Sequence, residues 1–451
     1  MKPKDTPDSR SEVWPMVCPD AAGLDIGASE IWACVPADRA TPAVRSFTTF
    51  TPDLQALADW LSACRVRTVA MESTGVYWVP VFEVLEAHGL EVDLVNARHI
   101  KNVPGRKSDV QDCQWIQRLH SYGFLRASFR PEAEMVVLRA YLRHRAMLIE
   151  HRAAHIQHMQ KALPLMNVQL PRVLSDITGV TGMQIIRAIV AGERNPQVLA
   201  TFRNGRCQRS EAEIAKALTG NYRAEPVFAL KQALALYDAY SGQLQECDEE
   251  IERQYAATRL RFDPEDPDEP LGPDTKTNTH SKNAPDFDVR RRLFQLTGVD
   301  LTAVDGLDES AAQLLVSEIG TDMSKWPTEK HFCSWLGLAP HNDITGGRVV
   351  RSRTLHVHNR AAQVLRMAAQ SVGRGKSALG AFYRRLRARQ GPEQATTATA
   401  HKIARIVYYM LKHRQPYRTL SAAEYDEQQH HRELKSLQRR AAKLGLTLAP
   451  A

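Results

Sequence analysis

Cysteine is scarce in this 451-residue sequence and never paired: Cys18, Cys34, Cys64, Cys113, Cys207, Cys247 and Cys333 stand singly, with no C-x-x-C pair. That excludes a zinc ribbon and a disulfide framework, and it fits a reducing compartment. No uncharged apolar run approaches the roughly 18 residues that a membrane span needs. The start, MKPKDTPDSRSEVWP, has no apolar stretch of signal-peptide length. A cytoplasmic protein is expected. No glycine-rich phosphate loop of the G-x-x-x-x-G-K-S/T form is present, so no ATP site of that kind is indicated. No internal repeat is evident. Apolar residues, by contrast, make up 43% of the chain, which excludes global disorder, and at roughly 150 residues per domain the length suggests about three domains.

The net charge of +8 is small only as an average. From Arg348 to Arg418 there are 16 Lys and Arg, and Glu393 is the single acid. Arg98 to Lys161 has 12 bases against 5 acids, whereas Glu246 to Asp288 has 13 acids against 5 bases. A basic segment is often only a solvated helix face. Here arginine outnumbers lysine 13 to 3 in the C-terminal block, and the planar guanidinium fork suits phosphate oxygens. So few acids also leave no partners for a salt-bridged surface. A polyanion, meaning nucleic acid, is the better explanation. The acidic segment contains DPEDPDEPLGPDTKTNTHSKNAPD, a composition that marks a disordered linker between domains.

Three short strands are expected at Gly23–Ile26, Ile31–Pro36 and Val44–Phe50, then a helix in DLQALADWLSACR and a strand in VRTVAME that ends at Glu72. VYWVPVFEVLEAHG reads as a helix, EVDLVN as a strand, ARHIKNVPGRK as a basic loop, and SDVQDCQWIQRLHSYG as a helix beginning at Ser108. This order predicts an α/β domain with a mixed sheet. Glu132–Lys161 and Ser210–Ala257 are long, helical and charged, and read as arms or hairpins more than as a second core.

Four acids occupy places that chemistry favours: Asp25 in the first strand, Glu72 at the end of the fourth, and Asp109 and Asp112 on one helix. Asp109 and Asp112 are three residues apart, so their carboxylates share a helix face. Like charges held that close are costly unless a cation lies between them, and Mg²⁺ prefers oxygen ligands. Singly, each has a plainer reading: Asp25 as a turn residue, Glu72 as a strand-end cap, Asp109 and Asp112 as helix-start residues that follow a Ser108 cap. Taken together and in this order, they match the arrangement of RNase H-like nuclease domains.

Apart from its N-terminal tail, its acidic linker and its C-terminal tail after about Arg418, the sequence resembles the DEDD-type insertion-sequence transposases, the bridge-RNA-guided serine recombinases with a RuvC-like N-terminal domain. LDIGASE, MESTGVYWVPVFEVLEAHG and LVNARHIKNVPGRKSDVQD carry the likeness in the N-terminal half. DLTAVDGLDESAAQLLVSEIG, FCSWLGLAPHND, ITGGRVVRSRT and NRAAQVLRMAAQS carry it in the C-terminal half. The central segment, which includes SDITGVTGMQIIRAIVAGERNP, is similar to the subgroup with an enlarged helical middle. The resemblance implies a RuvC-like domain at 21–130, a helical or coiled-coil arm at 131–260 and a mainly α transposase domain at 289–418. A disordered tail (1–20), the acidic linker (261–288) and a helical tail (419–451) complete the expected organisation.

The resemblance further implies that Asp25, Glu72, Asp109 and Asp112 form a catalytic tetrad binding two Mg²⁺ ions, a pair that suits phosphodiester transfer because one activates the attacking oxygen and one stabilises the leaving oxygen. Family members place a nucleophilic serine in a Ser-Gly-Gly-Lys-like sequence, where this chain reads Thr345-Gly346-Gly347-Arg348. Thr345 is the expected nucleophile, although its β-methyl hinders attack; the alternatives are that this copy is impaired or that Ser352 substitutes. A plainer reading makes TGG only a glycine-permitted turn. Arg106, Lys107, Arg348, Arg351, Arg353, Arg360, Arg384, Arg385 and Lys402 are expected to contact nucleic acid. Donor and target DNA, a noncoding bridge RNA and further copies of the chain, as dimer or tetramer, are the implied partners, in a bacterial cytoplasm at the nucleoid. The alternative is a RuvC-like structure-selective nuclease, a junction resolvase without a covalent intermediate.

Three weaker signals remain. Asp305–Gly320 has the look of a helix-hairpin-helix element whose glycine turn offers N–H groups to phosphate. Tyr383, Tyr408 and Tyr409 either stack on bases or pack in the core. His151, His155 and His158 fall at helical spacing and read as a polar nucleic-acid-facing surface more than as a zinc site.

Overall fold

The computed structural model describes residues 15–73, 75–96, 108–258, 261–265, 271–273, 282–355, 357, 359–418 and 421–447. Residues 1–14 of the expected tail at 1–20, the basic loop at 97–107 and much of the acidic linker lie outside the described residues. The chain divides into two compact units, Met1–Arg130 and Pro131–Ala451.

The first unit is a five-stranded mixed sheet built from β1 (Ala21–Ile26), β2 (Glu30–Cys34), β3 (Val44–Thr48), β4 (Thr68–Glu72) and β5 (Glu91–Val95), in the order β3-β2-β1-β4-β5. β1 pairs antiparallel with β2 and parallel with β4, so the central strand has a neighbour of each kind. The crossovers are α1 (Thr51–Ala63) and α2 (Trp78–Ala87), and α3 (Asp109–Ser121) follows the sheet. Alternation along β1 sorts its side chains between two faces. Ala22, Leu24 and Ile26 join Leu54, Leu57 and Leu85 in the main core. Gly23 and Asp25 point the other way, where Ala70 and Val95 pack on Ile116 of α3. This is the mixed α/β, RNase H-like arrangement expected.

In the second unit α4 (Ala133–Leu165) and α9 (Ala224–Ala257) run as a long paired hairpin. Arg145 and Asp248 bridge it with two hydrogen bonds, both side chains buried. The hairpin is not a bare arm. Between its helices lie α5 (Leu170–Val173), α6 (Val180–Ala191), α7 (Pro196–Ala200) and α8 (Glu211–Ala217), and with the hairpin ends they enclose a hydrophobic core that includes Met159, Leu170, Ile185, Ile189, Leu199 and Leu230. The expectation of arms without a second core is therefore corrected. The apolar spacing of Ile185, Ile186 and Ile189 in α6 buries one helix face, and short capped helices close over it. The N-caps are side chains, Asn195 for α7 and a Ser210–Glu213 capping box for α8.

The rest of the unit is α10 (Val289–Thr297), α11 (Glu309–Ile319), α12 (Glu329–Trp335), a two-stranded ribbon of β6 (Pro340–Thr345) and β7 (Arg348–Thr354), then α13 (Arg360–Val372), α14 (Ala378–Gln390), α15 (Pro392–His413) and α16 (Ala422–Lys443). α15 is central, with Ile403, Ala404 and Val407 fully buried. Tyr408 packs against Phe332 and donates its hydroxyl to the Trp326 carbonyl at 2.9 Å.

Candidate active site and nucleic-acid interface

Asp25 and Glu72 reach the same place by register. Leu24 pairs with Met71 across the parallel β1–β4 ladder, and one step further along both strands come Asp25 and Glu72. Met71 belongs to the main core and Ala70 packs beside Ile116, so alternation turns Glu72 to the α3 face with Asp25. Helix α3 supplies the other two acids from its first turn, Asp109 and Asp112. Ser108 caps that turn by accepting from the Gln111 N–H at 3.4 Å, so the cap reading of Ser108 is correct as well.

Gly23 lets α3 come close. A Cβ built there would meet the Gln117 nitrogen at 2.2 Å and the Cys113 oxygen at 2.5 Å, both backbone atoms. Any larger residue would lift the helix, and its two aspartates, off the strand that carries Asp25. Sequence reading missed this residue; its signal is the Ala-Ala-Gly run opening a buried strand.

The electrostatic result is read at Asp25. Burial, together with repulsion from Asp109, Asp112 and Glu72, pushes its carboxyl up from 3.8 to about 6. Asp25 thus senses the other three carboxylates. Among the described residues no three His, Cys, Asp or Glu side chains stand close enough to ligate one ion, so the cluster is open. Its donors are all carboxylate oxygens, the hard ligands that suit a divalent cation such as Mg²⁺.

In the second unit, Thr345 is the last residue of β6 and pairs with Arg348. Gly346 and Gly347 have φ of +56° and +76°, the left-handed pair that a two-residue hairpin turn requires. TGG therefore forms a glycine-permitted turn, and the turn leaves Thr345 exposed at the tip of the ribbon. Ser352 pairs with Asn342, farther from the tip.

Residues 22–168 match the DEDD transposase model of the IS110 group, described as Transposase, and residues 300–384 match the model described as Transposase IS116/IS110/IS902 family. The chain belongs to the IS110 transposase family. It is a DNA transposase, and its substrates are DNA. No curated protein matches it.

The cationic residues of this transposase fall into distinct environments. Arg348, Arg351 and Arg353 are exposed along β7, and Arg360 is exposed at the start of α13. Arg353, Arg385 and Lys402 line one cavity. Arg384 is partly engaged elsewhere, donating to the Gly373 and Gly375 carbonyls at 3.2 and 2.5 Å. Arg106 and Lys107 lie outside the described residues. Arg405 and Arg432 line the same cavity as Lys402 but were passed over, Arg432 because acids in its helix dilute the local charge.

Gly306 differs from the phosphate-facing turn expected. A Cβ there would meet the Ala368 oxygen and Val372 Cγ1, each at 2.6 Å, so this glycine serves close packing on α13. Tyr383 and Tyr408 are buried and Tyr409 is exposed, stacked on His413. His151 and His155 stack on Tyr240 of the hairpin's other helix. Burial, with His158 and His151 nearby, lowers the His155 pKa. Among the described residues no helix is long and apolar enough to cross a membrane.

Proposed function

We propose that this transposase cuts and rejoins donor and target DNA under the direction of a noncoding bridge RNA, with Asp25, Glu72, Asp109 and Asp112 holding Mg²⁺ and Thr345 as the attacking hydroxyl. The observation that carries the reading is Asp25, a half-buried carboxyl raised to about 6 with three further carboxylates acting on it. Two bound Mg²⁺ ions would neutralise that repulsion and stabilise charge on the attacking and leaving oxygens of a phosphodiester. The protein's own part is to keep four carboxylates on one sheet face. Asp25 is fixed by the strand ladder, and the two α3 aspartates are kept near it by the close approach at Gly23.

Thr345 supplies an exposed hydroxyl on a tight turn. Its oxygen bonds to phosphorus and gives up its proton, and the displaced deoxyribose oxygen takes a proton as its bond to phosphorus breaks. The resulting ester conserves the bond energy of the cut strand, so rejoining needs no ATP. The carboxylates and Thr345 belong to different units of the chain, and the reading has the hydroxyl delivered from a neighbouring subunit of a dimer or tetramer. The basic N-terminal segment, Arg106 and Lys107 included, and the helical arm engage the RNA. The arginine-rich C-terminal domain engages DNA. In this reading the RuvC-like domain, the arm and the C-terminal domain divide the work between metal, guide and nucleophile.

The test is a joining assay with two labelled duplexes, Mg²⁺ and the RNA transcribed from the DNA flanking the coding region. Joined product is expected only with all components. Full product without RNA removes the guide from the account, and full product from Asp25→Ala removes the tetrad. Cutting without joining favours the junction-resolvase alternative.

A further inference from the structure

A cavity of about 910 Å³ opens in the second unit between the β7 strand and helices α14, α15 and α16. Arg353, Arg385, Lys402, Arg405 and Arg432 line it, against a single carboxylate, Glu393. These cations are poorly neutralised by the protein itself. Among the described residues Arg353, Lys402 and Arg432 have no carboxylate within ion-pair distance. Among the described residues Arg385 and Arg405 have only long pairs, 4.0 Å to Glu433 and 3.7 Å to Glu329. Lys402 is held instead over aromatic rings, its ammonium 4.5 Å from the Phe382 centroid and 5.0 Å from that of Tyr425. Burial lowers its pKa, and Arg432, Arg385 and Arg405 lower it further. Concentrated like charge in a partly desolvated cavity is stabilised when an anion enters.

We propose that this cavity binds the phosphodiester backbone of a nucleic-acid strand, with α16 as its outer wall. The proposal rests on the reading of the chain as a nucleic-acid enzyme and adds where a strand is held. Four of the five cations lie beyond residue 384, where the second family match ends, so the site is no part of what that match conveys. The volume lies in the range of sites that enclose a ligand, about 300–1,000 Å³, which gives room for a short stretch of strand. Guanidinium forks suit phosphate oxygens, and the Ser352 hydroxyl, also in the lining, adds a neutral donor. DNA and RNA share this chemistry, and the test separates them.

Full-length protein is titrated into labelled single-stranded DNA and RNA of one sequence, with anisotropy read over a series of salt concentrations. Arg432→Gln and Arg353→Gln each change an exposed side chain, and thermal denaturation checks that both variants fold. Each lost phosphate contact lowers the slope of log K against log salt by about 0.7 for a single strand, and we expect roughly 3- to 10-fold weaker binding at moderate salt. A loss confined to the DNA or the RNA arm names the strand held. Unchanged affinity and slope on both arms, in folded variants, overturns the cavity assignment and leaves the tetrad reading intact. A wild-type protein that binds neither strand overturns the nucleic-acid reading as a whole.

Discussion

Replacing Gly23 with alanine adds one methyl group, and the structure makes that methyl expensive. The new Cβ would sit 2.2 Å from the Gln117 nitrogen and 2.5 Å from the Cys113 oxygen, where ordinary contact begins at 3.4 Å. Both neighbours are backbone, so no side-chain rotation relieves the clash, and α3 must back away by about 1 Å. Overpacking of this kind costs about 1–3 kcal/mol, a fall in Tm of several degrees for a domain of this size. The functional loss is larger. Asp109 and Asp112 ride on the displaced helix, and a shift of about 1 Å at a catalytic centre can cost about 100-fold in rate. Gly23→Ala is therefore expected to lower Tm modestly and joining activity by about two orders of magnitude, although it removes no functional group. Thermal denaturation and the joining assay, run on the same preparation, measure both. Wild-type Tm and wild-type activity together would refute the argument that this contact sets the distance between strand and helix.

Asp25→Asn is expected to inactivate the enzyme while stabilising the metal-free protein. The folded-state pKa is raised from 3.8 to about 6, so the wild type loses stability as pH rises through that window. The Tm advantage of the variant should grow from about pH 4 to about pH 6 and then level off. Added Mg²⁺ at pH 7.5 should raise the wild-type Tm more than that of Asp25→Asn; equal shifts would count against a cation at these carboxylates. Thr345→Ser removes the β-methyl and should match or exceed wild-type joining, because the freed rotamer eases attack; a large loss would mean that the methyl, not the hydroxyl, matters there. Arg145→Ala leaves Asp248 charged and buried, and should cost the helical hairpin about 3–5 kcal/mol, read as a lower urea midpoint. An unchanged midpoint would show that the pair contributes little.

Much of the first unit was legible because its periodicities are clean. Alternating apolar residues in β1 and the runs in β4 and β5 gave the strands, and Glu72 closes its strand as expected. The convergence of Asp25 and Glu72 depends on parallel register, which spacing along the chain does not encode, and the approach of α3 depends on the single hydrogen at Gly23. In the second unit, block charge pointed to nucleic acid but could not group its members. Arg353, Arg385, Lys402 and Arg432 are far apart in sequence and meet only because α14, α15 and α16 pack beside β7. Tyr408 sits in a basic run yet is core, since its ring packs on Phe332 and its hydroxyl has a carbonyl partner. The second core at the end of the long hairpin was hidden for a related reason. Its apolar residues are divided among four short helices and the ends of the two long ones, so no single stretch of sequence announces a core.

The central claim is that a protein hydroxyl, Thr345, becomes joined to DNA in a reaction that depends on the carboxylates of the first unit. The most direct measurement is a denaturing gel of the protein incubated with end-labelled duplex, RNA and Mg²⁺, followed by mapping of the modified residue by mass spectrometry. The account predicts a denaturation-resistant protein–DNA band that maps to Thr345, is absent in Thr345→Ala and is absent in Asp25→Ala. A band that persists in Thr345→Ala, or joined product with no covalent band at all, would contradict it.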